Sequence, residues 1–331
     1  MSKGKNKLIA LFLVVFFLAI VIGALAVTVM FYSKFLISLG IGQMLGARVT
    51  MEYLLYNPQD HAFHIKNFRV YNPEGFDTKA TLAEAPDVAG TLNPKTLLTH
   101  RKFHIPYLNV YIKTLAIVKN KQGEMNVDKL TIAHADLDKI PVQIDKLIFS
   151  TDNVVYKDYT KGDKPRVEIY NVNIKDKSYE NISSVDRVAS KILVDSLSQT
   201  AIKGVAIVGI VAVAAGSVAA PVVVPVAAAG IIISGKDTYY ANIERKYEDV
   251  YKAALVVADE MGNISRQDKT KGIISGNIDQ ANVIIKLTKE SETETNVAVT
   301  ARKLLIAKPR IAGGILYEIS DRLKEMKPSR R

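Results

Sequence analysis

Five histidines are the residues of this chain whose chemistry best suits metal binding: His61, His64, His100, His104 and His134. A zinc site needs several imidazole, thiolate or carboxylate ligands that converge on one point. His100 and His104 share one face of a helix or of a strand, whereas His61 and His64 point in opposite directions on a strand. Since no carboxylates are spaced to complete such a site, we predict solvated or sheet-edge histidines and no metal.

Other motifs of catalysis are absent or incomplete in the sequence. Asp136 and Asp138 suit a loop or a helix start better than an acid–base pair. Gly40, Gly42 and Gly46 nearly match a dinucleotide-binding fingerprint but follow no strand, so we expect a flexible juxtamembrane link there. The chain has no cysteine, which excludes disulfides and thiol nucleophiles. We therefore expect a protein that is not an enzyme, without catalytic, cofactor-binding or metal-binding residues.

The charge balance is basic, with 44 Lys and Arg against 33 Asp and Glu and a formal net charge of +11 over 331 residues. The basic residues are interleaved with acidic ones in both halves of the chain. A nucleic-acid binder concentrates its cations in a stripe with base-reading or aromatic partners, so we expect no nucleic-acid partner. Diffuse positive charge fits a solvated surface that lies close to anionic lipid.

An uncharged segment near the N-terminus predicts a membrane anchor. Leu8–Ser33 contains 26 residues without a charge. As a helix it is about 39 Å long, enough to cross a hydrocarbon core of about 30 Å, and it is longer than the apolar part of a cleavable signal peptide. Lys3, Lys5 and Lys7 precede it, so by the positive-inside rule we place the N-terminus in the cytoplasm and the body outside.

After the anchor, the apolar residues alternate with polar ones, which predicts strands. Asn57-Pro58 and Asn72-Pro73 end the first two, and Asn93-Pro94 predicts the start of a short helix with Asn as its N-cap. We expect a β-rich domain over residues 46–182 with many hairpins. Its strand candidates are Arg48–Tyr56, His64–Tyr71, Pro86–Leu92, Lys102–Tyr111, Lys113–Lys119, Val142–Phe149, Val154–Tyr159 and Arg166–Ile174.

Several stretches of this domain resemble the N-terminal part of AsmA-like proteins: Val49-Thr50, Asn57-Pro58, His64–Phe76 with its Asn-Pro-Glu-Gly-Phe ending, Asn93–Leu98, His104–Ile112 and Gly123–Leu130. The resemblance implies a bacterial envelope protein with an N-terminal membrane helix and a periplasmic β-rich body. Long members of that family are linked to phospholipid transport between membranes, and they contain an extended repeated β-groove that this chain lacks. A lipid or hydrophobic ligand is therefore the alternative that the resemblance implies.

A second apolar segment follows the β-rich domain. Ser184–Lys203 has helical spacing, and Val205–Ser234 carries no charge but contains Pro221 and Pro225, which break a helix. Its Ala- and Val-rich composition inserts into membranes less readily than the first segment. Three interpretations stay open: one broken span, a re-entrant hairpin that returns to the same side, or a small-residue helical hairpin packed in protein.

The C-terminal part predicts a two-layer sandwich of order α-β-β-β-α. Its helices are expected at Ala241–Met261 and Ala307–Met326, and its strands at Lys271–Ile278, Asn282–Thr288 and Thr295–Ala301. Tyr247–Ala253, Lys271–Gly276 and Asn282–Leu287 resemble a family of small bacterial envelope lipoproteins of unknown function. The lipid-bearing cysteine of that family is missing here, and the N-terminal anchor would replace it.

Together these features predict a membrane-anchored α+β protein of the bacterial inner membrane with a periplasmic body. We expect a structural or interaction role, with the lipid bilayer and either a second copy of the chain or an envelope protein as partners. The expected regions are the N-terminus and anchor at 1–33, a juxtamembrane link at 34–45, the AsmA-like domain at 46–182, a helix and apolar hairpin at 183–235 and an α+β domain at 236–331.

Overall fold

The computed structural model describes residues 35, 37–43, 45–100, 102–130, 142–183, 185–202, 206–207, 210–211, 224–226, 229–233 and 238–326. It confirms the α+β class: two large sheets are packed with helices. The predicted anchor lies outside the described residues, and no helix within them has the length and hydropathy of a membrane span. Residues 37–43 of the predicted flexible link are helical.

The first sheet has seven strands in the order β1-β3-β4-β5-β6-β7, and β2 also pairs with β3. All neighbours are antiparallel except β5 and β6, which are parallel. The strands are β1 (Val49–Thr50), β2 (Tyr53–Asn57), β3 (Ala62–Tyr71), β4 (Thr81–Thr91), β5 (Phe103–Lys119), β6 (Val142–Asp158) and β7 (Arg166–Ile182).

Two pairs of predicted strands are in fact single long strands. Lys102–Tyr111 and Lys113–Lys119 join into β5, and Ile112 and Lys113, where the two predictions meet, are both buried within the strand. The predicted gap in β6 contains Thr151 and Asn153, which are also buried, and the pairing with β7 shifts at both positions. Such irregularities interrupt the alternation on which a sequence-based prediction depends.

Short helices close one face of the first sheet. Helix α1 (Pro94–His100) begins where predicted, with the Lys95 amide donating to Asn93 Oδ1 at 3.1 Å. A 3₁₀ turn follows β5 at Asn126–Lys129, and helix α2 spans Val185–Ser198, within the predicted helix. The α2 side chains Ile192, Leu193 and Leu197 are buried in a core cluster with residues of β5, β6 and β7.

The second sheet has eight strands in the order β10-β11-β12-β16-β15-β14-β13, and β17 also pairs with β16. A separate two-stranded sheet joins β8 and β9. Two helices, α3 (Tyr247–Met261) and α4 (Pro309–Glu325), accompany it. The strands are β8 (Ala206–Ile207), β9 (Ile210–Val211), β10 (Val224–Val226), β11 (Ala229–Ile233), β12 (Thr238–Ile243), β13 (Gly262–Asp268), β14 (Ile273–Ile278), β15 (Ala281–Lys289), β16 (Thr295–Lys303) and β17 (Ile306–Ala307).

The helix predicted from Ala241 begins instead at Tyr247. Tyr239, Ala241 and Ile243 are buried at every second position, so the residues before the helix pair with β16 as a strand. Gly262, the residue after the predicted helix, is the first residue of β13, and an added Cβ there would lie 2.3 Å from the Asn277 carbonyl oxygen of β14. From β12 onward the order is therefore β-α-β-β-β-β-β-α, in which the last strand is the two-residue β17.

The apolar segment is extended rather than helical where it is described. Val224–Val226 and Ala229–Ile233 form an antiparallel hairpin, and the second of these strands pairs with β12. Its Val and Ile side chains are β-branched, which favours a strand over a helix. The helical interpretation is therefore wrong for the described residues. Pro225, which was expected to break a helix, lies inside strand β10 opposite Gly230 of β11.

Helix α4 unites the two sheets in one core. Val155 of β6 and Val167 and Ile169 of β7 belong to the same buried cluster as Ile311 and Ile315 of α4. Because residues 142–182 pack against residues 309–325, the two parts of the body lie on the same side of any membrane. A single crossing between them, one of the three interpretations of Val205–Ser234, is incompatible with this contact.

Candidate functional site

A cleft of about 340 Å³ lies where the first sheet meets helix α4, and we call it the junction cleft. Its walls come from the turn after β3, the ends of β5 and β6, and the exposed side of α4. The lining is partly apolar and partly polar. It includes Phe76, Val118, Tyr159, Tyr317, Lys157 and Asp321. It combines several elements with ionisable groups.

The Asn-Pro-Glu-Gly-Phe turn forms one wall of the junction cleft. Strand β3 ends at Tyr71, as predicted, and Gly75 has a φ of 90°, which L-residues rarely adopt. Buried Asn126 donates to Asn72 Oδ1 and to the Ala116 carbonyl oxygen, both at 2.8 Å. Asn72 in turn donates to the Asp77 carbonyl oxygen at 3.2 Å. The turn is thus fixed to β5 by buried amides, which supports a structural role.

A buried ion pair forms part of the contact between β6 and α4. Lys157 Nζ lies 2.6 Å from Glu318 Oε1, and the two side chains are 14% and 20% exposed. Burial lowers the pKa of Lys157, but the Glu318 carboxylate outweighs it, so the pKa lies above its ordinary value. Burial raises the pKa of Glu318 more than Lys157 lowers it. Lys157 also lies 5.8 Å from the centre of the Tyr317 ring.

The chemistry available in the junction cleft is binding rather than proton transfer. Burial raises the pKa of Tyr159 and raises that of Tyr317 well above 10, so both hydroxyls stay protonated and serve as donors. Lys157 faces the cleft but is already paired with Glu318. A general base needs an accessible lone pair near neutral pKa, and a nucleophile needs a base beside it. The described lining residues do not supply this combination.

The three histidines whose side chains are described, His61, His64 and His104, are not brought together. His64 and Lys66 both contact the Asp87 carboxylate, while His104 Nε2 lies 2.7 Å from Asp145 Oδ2. His61 Nδ1 lies 3.0 Å from the Tyr56 hydroxyl. No three metal-ligating side chains cluster anywhere in the part of the chain that the structure describes.

The structure does not describe the side chains of four other candidates. His134, Asp136 and Asp138 lie outside the described residues, as does the side chain of His100. Burial raises the pKa of Asp87, but hydrogen bonds from Lys66 and His64 lower it more, so that carboxylate is held in its charged form. Asp87, His64 and Lys66 therefore form a local charged cluster on the first sheet.

Sequence reasoning missed the buried lysines. Lys157 and Glu318 lie far apart in the sequence, and nothing in either local pattern indicates a partner. Lys113 of β5 is 7% exposed, and burial lowers its pKa despite nearby Glu84 and Asp152. The available signal was a lysine inside a strongly apolar strand, which indicates either a strand break or a buried charge.

A second feature is the outer edge of the first sheet, strand β2. Tyr53, Leu55 and Tyr56 are 54%, 52% and 48% exposed. No strand pairs with the outer side of β2 among the described residues. The strand carries no Lys, Arg or Pro, the residues that usually block pairing at an edge. We call this surface the β2 edge.

Comparison with known proteins gives one family. A family described as "Protein of unknown function (DUF3568)" matches residues 201–303, which extend from the apolar segment to the end of β16. The match covers the second sheet apart from β17, and it includes neither the first sheet nor α4. A search of curated proteins gives no match.

Proposed function

We propose that this chain is a non-enzymatic, membrane-anchored envelope protein that acts by protein–protein interaction. In this proposal the N-terminus is cytoplasmic, Leu8–Ser33 anchors the chain in a bacterial inner membrane, and the joined sheets form a periplasmic body. The β2 edge is the observation that best supports an interaction role, because this strand has no Lys, Arg or Pro to block pairing and exposes three large side chains. The AsmA-like resemblance of residues 46–182 supports the compartment.

A second copy of the chain is the partner we favour. An exposed strand edge offers unpaired amides and carbonyls that another strand satisfies. In an antiparallel two-fold pair centred on Leu55, that residue meets itself, and Tyr53 faces Asn57 of the other copy. The strand Tyr53–Asn57 contains no charge, so the pairing brings no like charges together. A self-complementary, neutral edge thus favours a homodimer.

The test is the oligomeric state of the full chain in detergent, measured by light scattering over a range of concentrations. Leu55→Lys places a charge at the centre of the β2 edge and should convert dimer to monomer. Ile284→Lys is the matched control, because Ile284 is 50% exposed but lies on β15, which has partners on both sides. A wild type that stays monomeric, or equal dimerisation of both variants, would reject the β2 edge as the interface.

Binding of a lipid or another hydrophobic ligand is the second candidate function, and the junction cleft favours it. Phe76, Val118 and Tyr159 give it an apolar side, while Lys121 and Asp321 lie in its polar part. Its volume of about 340 Å³ is near the lower end of ligand pockets. It therefore suits a headgroup or a single short chain better than a whole phospholipid.

Ala80→Trp would fill the junction cleft, and exposed Lys79→Trp next to it is the control. The measurement is mass spectrometry of the lipid that stays with each purified full-length protein after detergent exchange. Ligand binding predicts retained lipid in the wild type and in Lys79→Trp but not in Ala80→Trp. Equal retention in all three, or none in the wild type, would remove the cleft as a binding site.

A further inference from the structure

The turn between β16 and β17, with the first residue of β17, exposes three consecutive large apolar side chains. Leu304, Leu305 and Ile306 are 86%, 92% and 64% exposed, the three highest values among the large exposed apolar side chains of the described residues. We call these three residues the apolar tip. Single exposed apolar side chains are ordinary, but three consecutive ones at a convex position indicate a binding surface.

The backbone of the apolar tip disfavours the residues that it carries. Leu304 and Leu305 have φ values of 48° and 69°, and they form the two-residue turn of a tight hairpin. Two positive φ values are the type I′ pattern, which strongly prefers Asn-Gly. The turn between β14 and β15 has the same pattern but uses the polar residues Asp279 and Gln280. Leucine at the apolar tip is therefore not explained by turn formation.

The surroundings of the apolar tip are basic. Residues 302–310 contain four Lys and Arg and no acidic residue. Lys303 and Lys308 flank the tip directly, and Lys303 Nζ reaches Gln280 Oε1 at 2.6 Å. Asp279, the acidic residue of the neighbouring turn, is paired with Arg166 at 3.1 Å. The local charge is thus positive on both sides of an exposed apolar point.

We propose that the apolar tip inserts into the surface of an anionic lipid membrane. Leucine and isoleucine side chains would enter the boundary between headgroups and acyl chains, and the flanking lysines would contact anionic headgroups. A protein partner fits less well, because a three-residue tip buries far less area than a stable protein interface. The tip belongs to the second sheet, so this would be an attachment in addition to the predicted anchor that precedes the first sheet.

The chain has no cysteine, so a single reporter site can be introduced cleanly. Ile306→Cys, labelled with a polarity-sensitive fluorophore, would be reconstituted as the full chain into vesicles of phosphatidylcholine with one-quarter phosphatidylglycerol. We expect blue-shifted emission and strong quenching by nitroxide-labelled lipid, and less of both in phosphatidylcholine alone. Ile284→Cys, 50% exposed on β15, is the control and should stay in water. Equal accessibility of both sites to aqueous iodide would overturn the proposal.

A double change separates insertion from folding. Leu304→Asn with Leu305→Gly gives the turn the residues that its backbone prefers, so the melting temperature should stay or rise by about 2–4 °C. In the Ile306→Cys background, lipid quenching should fall to the level of the Ile284→Cys control. Unchanged quenching would contradict insertion of the tip. A blue shift that needs high protein concentration but no vesicles would assign the tip to a protein contact instead and overturn the proposal.

Discussion

The two sheets differ in how many of their faces are covered. In the second sheet, β15 alternates regularly between buried and exposed residues, with Val283 and Ile285 inside and Ile284 outside. In the first sheet, the end of β6 is covered on both sides: Val154 contributes to the cluster with α2, and Val155 to the cluster with α4. One sheet thus has an open face, whereas the other is closed where α4 lies on it.

The difference teaches where polar groups become structurally important. On an open face, a charged residue stays in water and costs nothing to place. On the closed part of the first sheet, the Lys157 side chain is only 14% exposed to water, so its charge is matched by Glu318 of α4. The contact that unites the two sheets therefore depends on a charge pair and on close backbone approach, and substitutions there should have larger effects than those on the open face.

The largest expected effect is the loss of one partner of the ion pair. Lys157→Met leaves the Glu318 carboxylate buried without its cation, which should destabilise the full chain by about 3–5 kcal/mol at neutral pH. The measurement is urea unfolding followed by circular dichroism. Lys161→Met is the control, because Lys161 is 68% exposed and lies 4.0 Å from Asp279. A loss below 1 kcal/mol for Lys157→Met would show that water reaches the contact between β6 and α4.

The same pair has a defined pH dependence. The folded-state pKa of Glu318 is raised above 4.5, so its contribution to stability is complete below that value and decreases as the pH rises through the folded pKa. Without Lys157 the pKa rises further, and the penalty of Lys157→Met should therefore shrink between about pH 7 and about pH 5. Adding Glu318→Leu should recover most of the lost stability. A penalty independent of pH would contradict the assignment of an uncompensated carboxylate.

A smaller effect is expected where α4 touches β7. A Cβ on Gly314 would lie 2.4 Å from the Val167 carbonyl oxygen, so the helix must move away from the sheet. Gly314→Ala should cost about 1–3 kcal/mol through overpacking, even though alanine itself favours a helix by about 1 kcal/mol. Gly40→Ala, with open space around its Cβ, is the matched control. Stabilisation by Gly314→Ala would mean that α4 does not pack this closely.

The open and closed faces also explain what the sequence could predict. The alternation of β15 and β16 placed both strands within two residues of their observed ends, because only one face of each is buried. The long strands β5 and β6 lost this signal where their second face is covered. The junction cleft could not be predicted, since its walls come from elements far apart in the sequence and its ion pair has no local signature.

The turn at one wall of the junction cleft should show an intermediate effect. Gly75 has a φ of 90° with nothing within 4 Å of its added Cβ, so a substitution there is strained but not crowded. Gly75→Ala should cost about 1–2 kcal/mol, and Glu74→Ala, at an exposed neighbour, should cost almost nothing. The melting temperatures of the two variants give the comparison. Equal melting temperatures would contradict a turn that requires positive φ.

The smallest effect should occur on the open face of the second sheet. Ile284 is 50% exposed between two paired strands, so Ile284→Thr removes little buried area and keeps a β-branched side chain. We expect a change within about 0.5 kcal/mol. Ile285→Val, at the adjacent residue with 1% exposure, should cost about 0.5–1.5 kcal/mol although it removes only one methylene. If Ile284→Thr proved the more damaging of the two in urea unfolding, this face would be covered rather than open, and a partner or a further segment of the chain would have to cover it.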